Sequence, residues 1–255
     1  MNATSDWAVI TGAGSGMGAA LAVELAGRGV DLALIGRRRS ALEHTRAALP
    51  GTVTSLVIPA DIARSKDRRS VVERIDEWVA AEAGRLRYLV HNAGVGEPAS
   101  GIECMHPDDL ETALAVNVTA PLALTQGLLP LLRAALPSRV LMVGAGVADH
   151  AQPGTGSYGI SKKALTRLFE QMQVDFAHSA TREPDIALFQ PGLVDTPGIR
   201  MHLEAARRCG LPHVDYLDQA LSAGRCRSPR AVGRAMAEAL TDTSSEEFAG
   251  ATLRP

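Results

Sequence analysis

The chain has 255 residues, 46% of them hydrophobic and 21% charged, and a formal net charge of −2. That length allows one large domain or two small ones, and the composition is that of a globular protein able to bury its own core. Neither the charge nor the composition suggests nucleic acid or an anionic membrane surface as a partner.

Short β-rich runs alternate with amphipathic helical stretches. Trp7 to Thr11 is an apolar strand, followed by a glycine loop and a helix through Arg28 that Gly29 stops. Asp31 to Ile35 is the next strand. A helix then runs to about Leu49, and Pro50-Gly51 marks a turn. Val53 to Ile58 reads as a third strand and Arg64 to Ala83 as a helix. Tyr88 to His91 is a fourth strand. A long helical region begins after Pro107 and reaches about Leu132, with Pro121 inside it as an expected kink or local break. Val140 to Val143 is a strand, and the helix carrying Tyr158 and Lys162 runs to about Ser179. Ile186 to Gln190 is a strand, Pro229 to Leu240 a helix with proline in its first turn, and Phe248 to Leu253 a last strand.

This alternation predicts βαβ units and a parallel sheet covered on both faces. With no repeat or linker, the expectation is one domain over residues 1–255. The segment at about 193–228 has weak periodicity and follows a strand's C-terminal end, where open α/β sheets bind ligands. It is read as a substrate lid. Cys104, Cys209 and Cys226 form no CxxC pair, so neither a disulfide framework nor a metal knuckle is expected, and no histidine spacing suggests a metal. Residues 1–6 lack a basic cluster, so no signal peptide is expected, and no apolar run is read as long enough to span a bilayer. The expected location is the cytoplasm.

The loop Thr11-Gly12-Ala13-Gly14-Ser15-Gly16-Met17-Gly18 follows a strand and opens a helix. Glycines there let the backbone turn tightly and approach a pyrophosphate, and the helix N-terminus favours an anion. A dinucleotide is the expected ligand. An acidic residue after the second strand would favour NAD, by bonding the ribose 2′-hydroxyl. Here the strand ends Gly36-Arg37-Arg38-Arg39. A glycine leaves room, and guanidinium groups favour a 2′-phosphate, so NADP(H) is expected.

Tyr158 and Lys162 stand four apart, on one face of a helix. A nearby ammonium favours the phenolate, so the tyrosine pKa is expected to fall from ~10 toward a range usable in proton transfer.

Together the Thr-Gly-x3-Gly-x-Gly loop and Tyr-x3-Lys resemble the short-chain dehydrogenase/reductase family. Further motifs support this. Asp61-Ile62 is similar to the family's adenine-side segment, and His91-Asn92-Ala93-Gly94 to Asn-Asn-Ala-Gly, with histidine in first place. Asn117 stands at the family's helix-kinking asparagine, and Pro191-Gly192-x-Val194-x-Thr196 resembles the segment that contacts the nicotinamide. The resemblance implies a doubly wound Rossmann-type domain of about seven strands that moves a hydride to or from a substrate carbon. It implies Tyr158, Lys162 and Asn117 as catalytic residues: Tyr158 exchanges the proton, Lys162 holds the nicotinamide ribose, and Asn117 fixes a water. Gly12, Ser15, Gly16, Met17, Gly18, Arg37, Arg38, Asp61, Ile62, Asn92, Ala93, Gly94, Pro191, Gly192, Val194 and Thr196 would hold the cofactor with Tyr158 and Lys162. A homodimer or homotetramer is implied likewise.

One family residue is missing. A serine about 13 positions before the tyrosine normally bonds the reacting carbonyl oxygen, and counting back from Tyr158 reaches Ala145. No serine or threonine lies between Arg139 and Gly154. Losing one oxyanion donor typically costs ~10²–10³ in rate. Three accounts follow: carbonyl reduction with another donor such as His150, reduction of an iminium whose cation Asp149 favours, or a cofactor-binding protein without redox turnover. Ala145, Asp149 and His150 are thus candidate substrate contacts.

Overall fold

A computed structural model describes residues 5–96 and 99–255. Residues 1–4, part of the segment read as lacking a signal peptide, lie outside the described residues. The first half runs β1 (Asp6–Thr11), α1 (Gly16–Ala26), β2 (Asp31–Gly36), α2 (Arg39–Ala47), β3 (Ser55–Pro59), α3 (Ser65–Ala81), β4 (Arg85–His91) and α4 (Pro107–Leu114). The second runs α5 (Ala120–Ala134), β5 (Arg139–Val143), α6 (Gly156–Ala177), β6 (Asp185–Phe189), α7 (Pro197–Arg208), α8 (Val214–Ser222), α9 (Pro229–Thr241), α10 (Ser245–Phe248) and β7 (Thr252–Leu253).

The strands form one sheet in the order β3-β2-β1-β4-β5-β6-β7, every pair parallel. This doubly wound order reverses direction between β1 and β4, the switch point where such sheets bind ligands. Successive residues of a strand face opposite sides of the sheet. Val9, Ile35 and Leu89 enter a core beneath α3, α5 and α6, whereas Ile10, Leu34 and Val90 enter a second core with α1 and α9. Both faces are covered, which is why the strands read as continuous apolar runs.

Of the two effects expected of Pro121 the long helix shows a local break, and two other expectations need correction. The helix passes through a π-turn at Ala115–Thr119, where the Ala120 N–H donates to the Ala115 carbonyl, and Pro121 opens α5. Proline has no N–H for the carbonyl four residues back, here Asn117, and its ring crowds that carbonyl, so the turn widens before it. The whole stretch Pro107–Ala134 is long and apolar enough by composition to cross a membrane, contrary to the sequence reading. Here its Leu124, Leu128 and Leu132 are buried in the sheet's core. Finally, Phe248 ends the short helix α10, which a Ser244–Glu247 capping box starts; only Thr252 and Leu253 pair with β6.

The segment at 193–228, read as a substrate lid, holds two helices, α7 and α8. Ala205 and Ala206 of α7 pack with Ala99, Leu211 and Val214, and Leu203 of the same helix is also buried. Pro197-Gly198, Gly210, Pro212 and Gly224 punctuate both short helices, which hides their pattern in the sequence.

Candidate active site

The glycine loop bends at Gly12 (φ +69°) and Gly16 (φ +56°), in the left-handed region that side chains disfavour. A Cβ on Gly18 would collide with the Gly12 carbonyl and the Asn92 amide. Asn92 and Ala93 support the loop from β4. Their N–H groups both donate to Thr11 Oγ1 at 3.1 Å, and Asn92 Nδ2 donates to the carbonyls of Thr11 (2.9 Å) and Gly12 (3.2 Å). Ser15 is the N-cap of α1 but makes no side-chain cap bond, and the first turn, which includes half-buried Met17, holds no acidic residue. The N–H groups of this turn thus have no side-chain cap or acid competing for them, the arrangement a helix start needs to accept an anion.

At the end of β2, Arg37 and Arg38 are exposed. Glu43 pairs with Arg39 and Arg46. Among the described residues Arg37 and Arg38 have no carboxylate partner. Asp61 is half-buried and already engaged: Oδ1 accepts from the Ala63 N–H at 3.2 Å, and Oδ2 lies 3.4 Å from Arg64 Nε. Ile62 beside it is buried.

The π-turn presents Asn117. Its Oδ1 accepts from the Val95 N–H at 2.9 Å, and its Nδ2 donates to the Val95 carbonyl (2.7 Å) and to Ser161 Oγ (2.8 Å). Ser161 Oγ donates onward to the Tyr158 carbonyl at 2.9 Å. Both side-chain donors of Asn117 are therefore used in joining the loop after β4 to α6. A π-turn at this point re-aims the side chain without ending the helix.

On α6, Lys162 is buried and its Nζ donates to the Val143 carbonyl at 2.7 Å. A Cβ on Gly94 would lie 3.4 Å from Lys162 Nζ and 3.5 Å from Asn117 Oδ1, so this residue borders both polar groups. Half-buried Tyr158 packs on Gly96, where any Cβ would collide with the tyrosine's Cβ and ring. The expected drop in the Tyr158 pKa is not found. Burial pushes the phenol up to about 12 and the lysine down to about 8. The lysine's ammonium is 5.7 Å from the phenol ring's centroid and bonded to Val143, so desolvation outweighs the charge.

Ala145 stands in extended backbone just past β5, before a 3-10 turn at Gly146–Ala148. No hydroxyl replaces it locally. The Thr155 hydroxyl donates to the Gln152 carbonyl at 2.8 Å, and Ser157 is buried within α6. Asp149 and His150 are exposed. Asp149 Oδ2 accepts from Gln190 Nε2 at 3.4 Å, and Arg254 donates to Gln190 Oε1 at 3.3 Å.

After β6, Pro191 is buried, Gly192 adopts φ +72°, and Val194 forms a parallel bridge to Arg227. Thr196 caps α7, its Oγ1 accepting from the Ile199 N–H at 3.3 Å. Its Cγ2 would lie 3.4 Å from a Cβ on Gly16, so this loop reaches back to the glycine loop. Segments far apart in sequence thus meet at the C-terminal edge of the sheet. Sequence reasoning missed Ser161 and Gly96. The spacing within Tyr158-Gly-Ile-Ser161-Lys162 held the first signal; nothing in the periodicity held the second.

The sequence matches the short chain dehydrogenase family over residues 6–206. It is similar to 11-beta-hydroxysteroid dehydrogenase A of Sesamum indicum, with 31% identity over 192 residues, which cover 74% of this chain and 52% of that protein. The chain thus spans about half the length of that relative. It is also similar to the sulfoacetaldehyde reductase of Chromohalobacter salexigens, with 30% identity over 193 residues, covering 75% of this chain and 74% of that protein. Among solved structures it resembles the KRED1-Pglu enzyme, with TM-score 0.86, 22% identity and coverage of 98% of this chain and 100% of that one. It also resembles a short chain dehydrogenase from Burkholderia cenocepacia in complex with NADP, with TM-score 0.78, 24% identity and coverage of 98% and 96%. At these identities the structural likeness speaks for the fold. The sequence match runs from the first residue of β1 into α7, and so takes in the glycine loop and the Tyr158 helix alike; the chain belongs to the short-chain dehydrogenase family of oxidoreductases.

Proposed function

We propose that this protein is an NADP(H)-dependent reductase of a carbonyl on a small or medium organic substrate, with Tyr158 as the proton donor. The cofactor fits the residues present. Gly12, Gly16 and Gly18 leave a cradle that side chains would fill, the start of α1 carries no competing acid, and Arg37 and Arg38 stand uncompensated at the end of β2. When bound, the nicotinamide supplies a hydride. The protein's own task is then to orient the substrate and give a proton to the oxygen.

The observation that carries the reading is geometric: Tyr158 and Lys162 lie on α6 at the ligand-binding edge of the sheet, and Ser161 between them joins that helix to Asn117. Burial raises the phenol, which keeps it protonated at neutral pH and suits it to donate. Lys162, anchored on Val143, would bond the ribose and stabilise the phenolate left after transfer. Because the Asn117 amide is taken by Val95 and Ser161, a water held by this residue would sit on its main-chain carbonyl, which Pro121 denies an α-helical donor.

Two competing readings rest on Ala145. The first is reduction of an imine or iminium. Such a substrate needs no oxyanion donor, and the Asp149 carboxylate on the same loop suits a cation. The second is a cofactor-binding protein with impaired turnover. NADPH oxidation with a panel of ketones and cyclic imines separates the three; binding of NADPH without turnover of either class would favour the last. We further propose α7 and α8 as the substrate lid. Cytoplasmic location is proposed from the three cysteines, which are free thiols as in a reducing compartment, and homo-oligomeric assembly on family likeness alone.

Two predictions concern the cofactor. NADPH is expected to bind at least about tenfold tighter than NADH, equivalent to ~1.4 kcal/mol. Arg37→Ala is expected to weaken NADPH much more than NADH, and equal affinities in a fluorescence titration would remove the 2′-phosphate assignment. The second is a pH effect. With its pKa lowered to about 8, Lys162 is charged below that pH and neutral above it. NADPH affinity is therefore expected to fall as pH rises through about 8, and Lys162→Arg, which keeps its charge, is expected to move the fall to higher pH. Titrations at pH 7 and 9 on both proteins decide it; a flat profile in the unaltered protein would mean that the ammonium does not face the cofactor.

A further inference from the structure

The short segment between α8 and α9 runs back along the loop that follows β6. Arg227 donates its N–H to the Leu193 carbonyl at 2.9 Å, and its own carbonyl accepts from the Asp195 N–H at 3.0 Å. The next residue, Ser228, caps α9, its Oγ accepting from the Ala231 N–H at 3.1 Å, and Pro229 opens that helix. Arg227 is thus fixed at its Cα from both sides, although its side chain is exposed.

That side chain lies over Gly192. A Cβ on the glycine would sit 3.8 Å from Arg227 Nε. Gly192 follows the C-terminal end of β6, at the ligand-binding edge of the sheet. Thr196, at the other end of the same loop, is the residue that reaches the glycine loop. The guanidinium therefore lies at the Gly192 end of this loop, while the Thr196 end borders the glycine loop.

The charge is uncompensated. Asp195, adjacent to Arg227 through the backbone bridge, gives both carboxylate oxygens to Arg200, at 2.7 and 2.6 Å. Arg207 and Arg208 pair with Asp218 and Glu204. Among the described residues, Arg227 has no carboxylate partner, unlike these three arginines of α7. A guanidinium presents paired donors that match a planar or tetrahedral oxyanion group.

We propose that Arg227 is a specificity-determining residue that binds an anionic group, a carboxylate or sulfonate, on the carbonyl substrate. This rests on the reductase reading above, whose substrate class it narrows. The test uses pairs of carbonyl compounds on one carbon skeleton: an oxo acid or oxosulfonate and its neutral ester or amide. The unaltered protein is expected to prefer the anionic member, and Arg227→Gln is expected to lower kcat/KM for that member about thirty-fold while changing the neutral one less than about threefold, as loss of one charged hydrogen-bonding partner does. Arg227→Lys is expected to restore part of the difference.

A second measurement does not depend on turnover. Calorimetric titration of the NADPH complex with the corresponding hydroxy acid or hydroxysulfonate is expected to show binding that Arg227→Gln weakens by a similar factor and that salt weakens too. If neither carbonyl is turned over yet the anion binds through Arg227, the reductase reading fails and the anion site stands. If Arg227→Gln acts equally on both members of a pair, the residue is structural and the proposal is overturned. If it instead weakens NADPH and leaves the anionic preference intact, the guanidinium serves the cofactor's diphosphate, and the proposal is likewise overturned.

Discussion

Tyr158→Phe is expected to lower kcat for ketone reduction by about 10²–10⁴-fold, the usual worth of a positioned proton donor. NADPH affinity is expected to stay within about threefold, because the phenol acts mainly in the transition state. The structure sharpens this expectation. The ring packs on Gly96 through its Cβ and edge, contacts that phenylalanine keeps, so the substitution removes the hydroxyl and little else. With burial holding the phenol at about 12, its ionisation is not expected to shape the unaltered protein's rate between pH 7 and 9. Lys162→Ala is expected to act differently. It leaves the Val143 carbonyl without its 2.7 Å donor in a buried site, and it is expected to damage cofactor binding, turnover and stability together. Single-turnover rates with saturating NADPH separate the two variants. A Tyr158→Phe protein with unaltered rates would show that the proton comes from elsewhere, and reduction of an iminium would become the better reading.

How much of this site can be read from sequence depends on the range of each interaction. The strands were legible because both faces of the sheet are covered, which makes Ala8 to Ile10 and Leu32 to Ile35 apolar without a break. The glycine loop was legible because a phosphate cradle needs particular backbone angles, and Gly12 and Gly16 do take positive φ. Helix α7 was not, since Pro197-Gly198 at its start and Gly210 after its end break up the short run that carries its buried Leu203, Ala205 and Ala206. The sign of the Tyr158 shift was out of reach for another reason. Spacing puts Lys162 on the same helical face, but the balance between charge and desolvation depends on Gly96 and Val143, which come from the loop after β4 and the end of β5. Pro121 lies between these cases. Its effect on the carbonyl of Asn117 is local and readable, yet a kink and a π-turn satisfy that clash equally well on paper.

Ala145→Ser is the substitution that separates the substrate classes. A serine here would stand in extended backbone immediately after Gly144, two residues beyond Val143, the end of β5, which bonds Lys162. If the natural substrate is a carbonyl handled without a second donor, the new hydroxyl is expected to raise kcat/KM for ketones by up to ~10²-fold, the range set by one oxyanion donor. If the site is adapted to an iminium, the same change is expected to leave C=N reduction flat or lower it. Hydride addition neutralises that cation, and a hydroxyl adds nothing to a charge that is disappearing. Asp149→Asn then provides the complementary measurement. Gln190 holds the carboxylate at 3.4 Å, and the isosteric amide removes the charge while keeping a side chain that Gln190 can still bond. On the iminium reading it is expected to lower imine reduction several-fold more than ketone reduction; on the carbonyl reading the two are expected to move alike. Measuring kcat/KM for both classes on the three proteins decides between them. An Ala145→Ser protein indistinguishable from the unaltered chain on both classes would mean that position 145 does not face the reacting atom, and the group that assists oxygen would then have to be sought on the loop after β6 rather than at the end of β5.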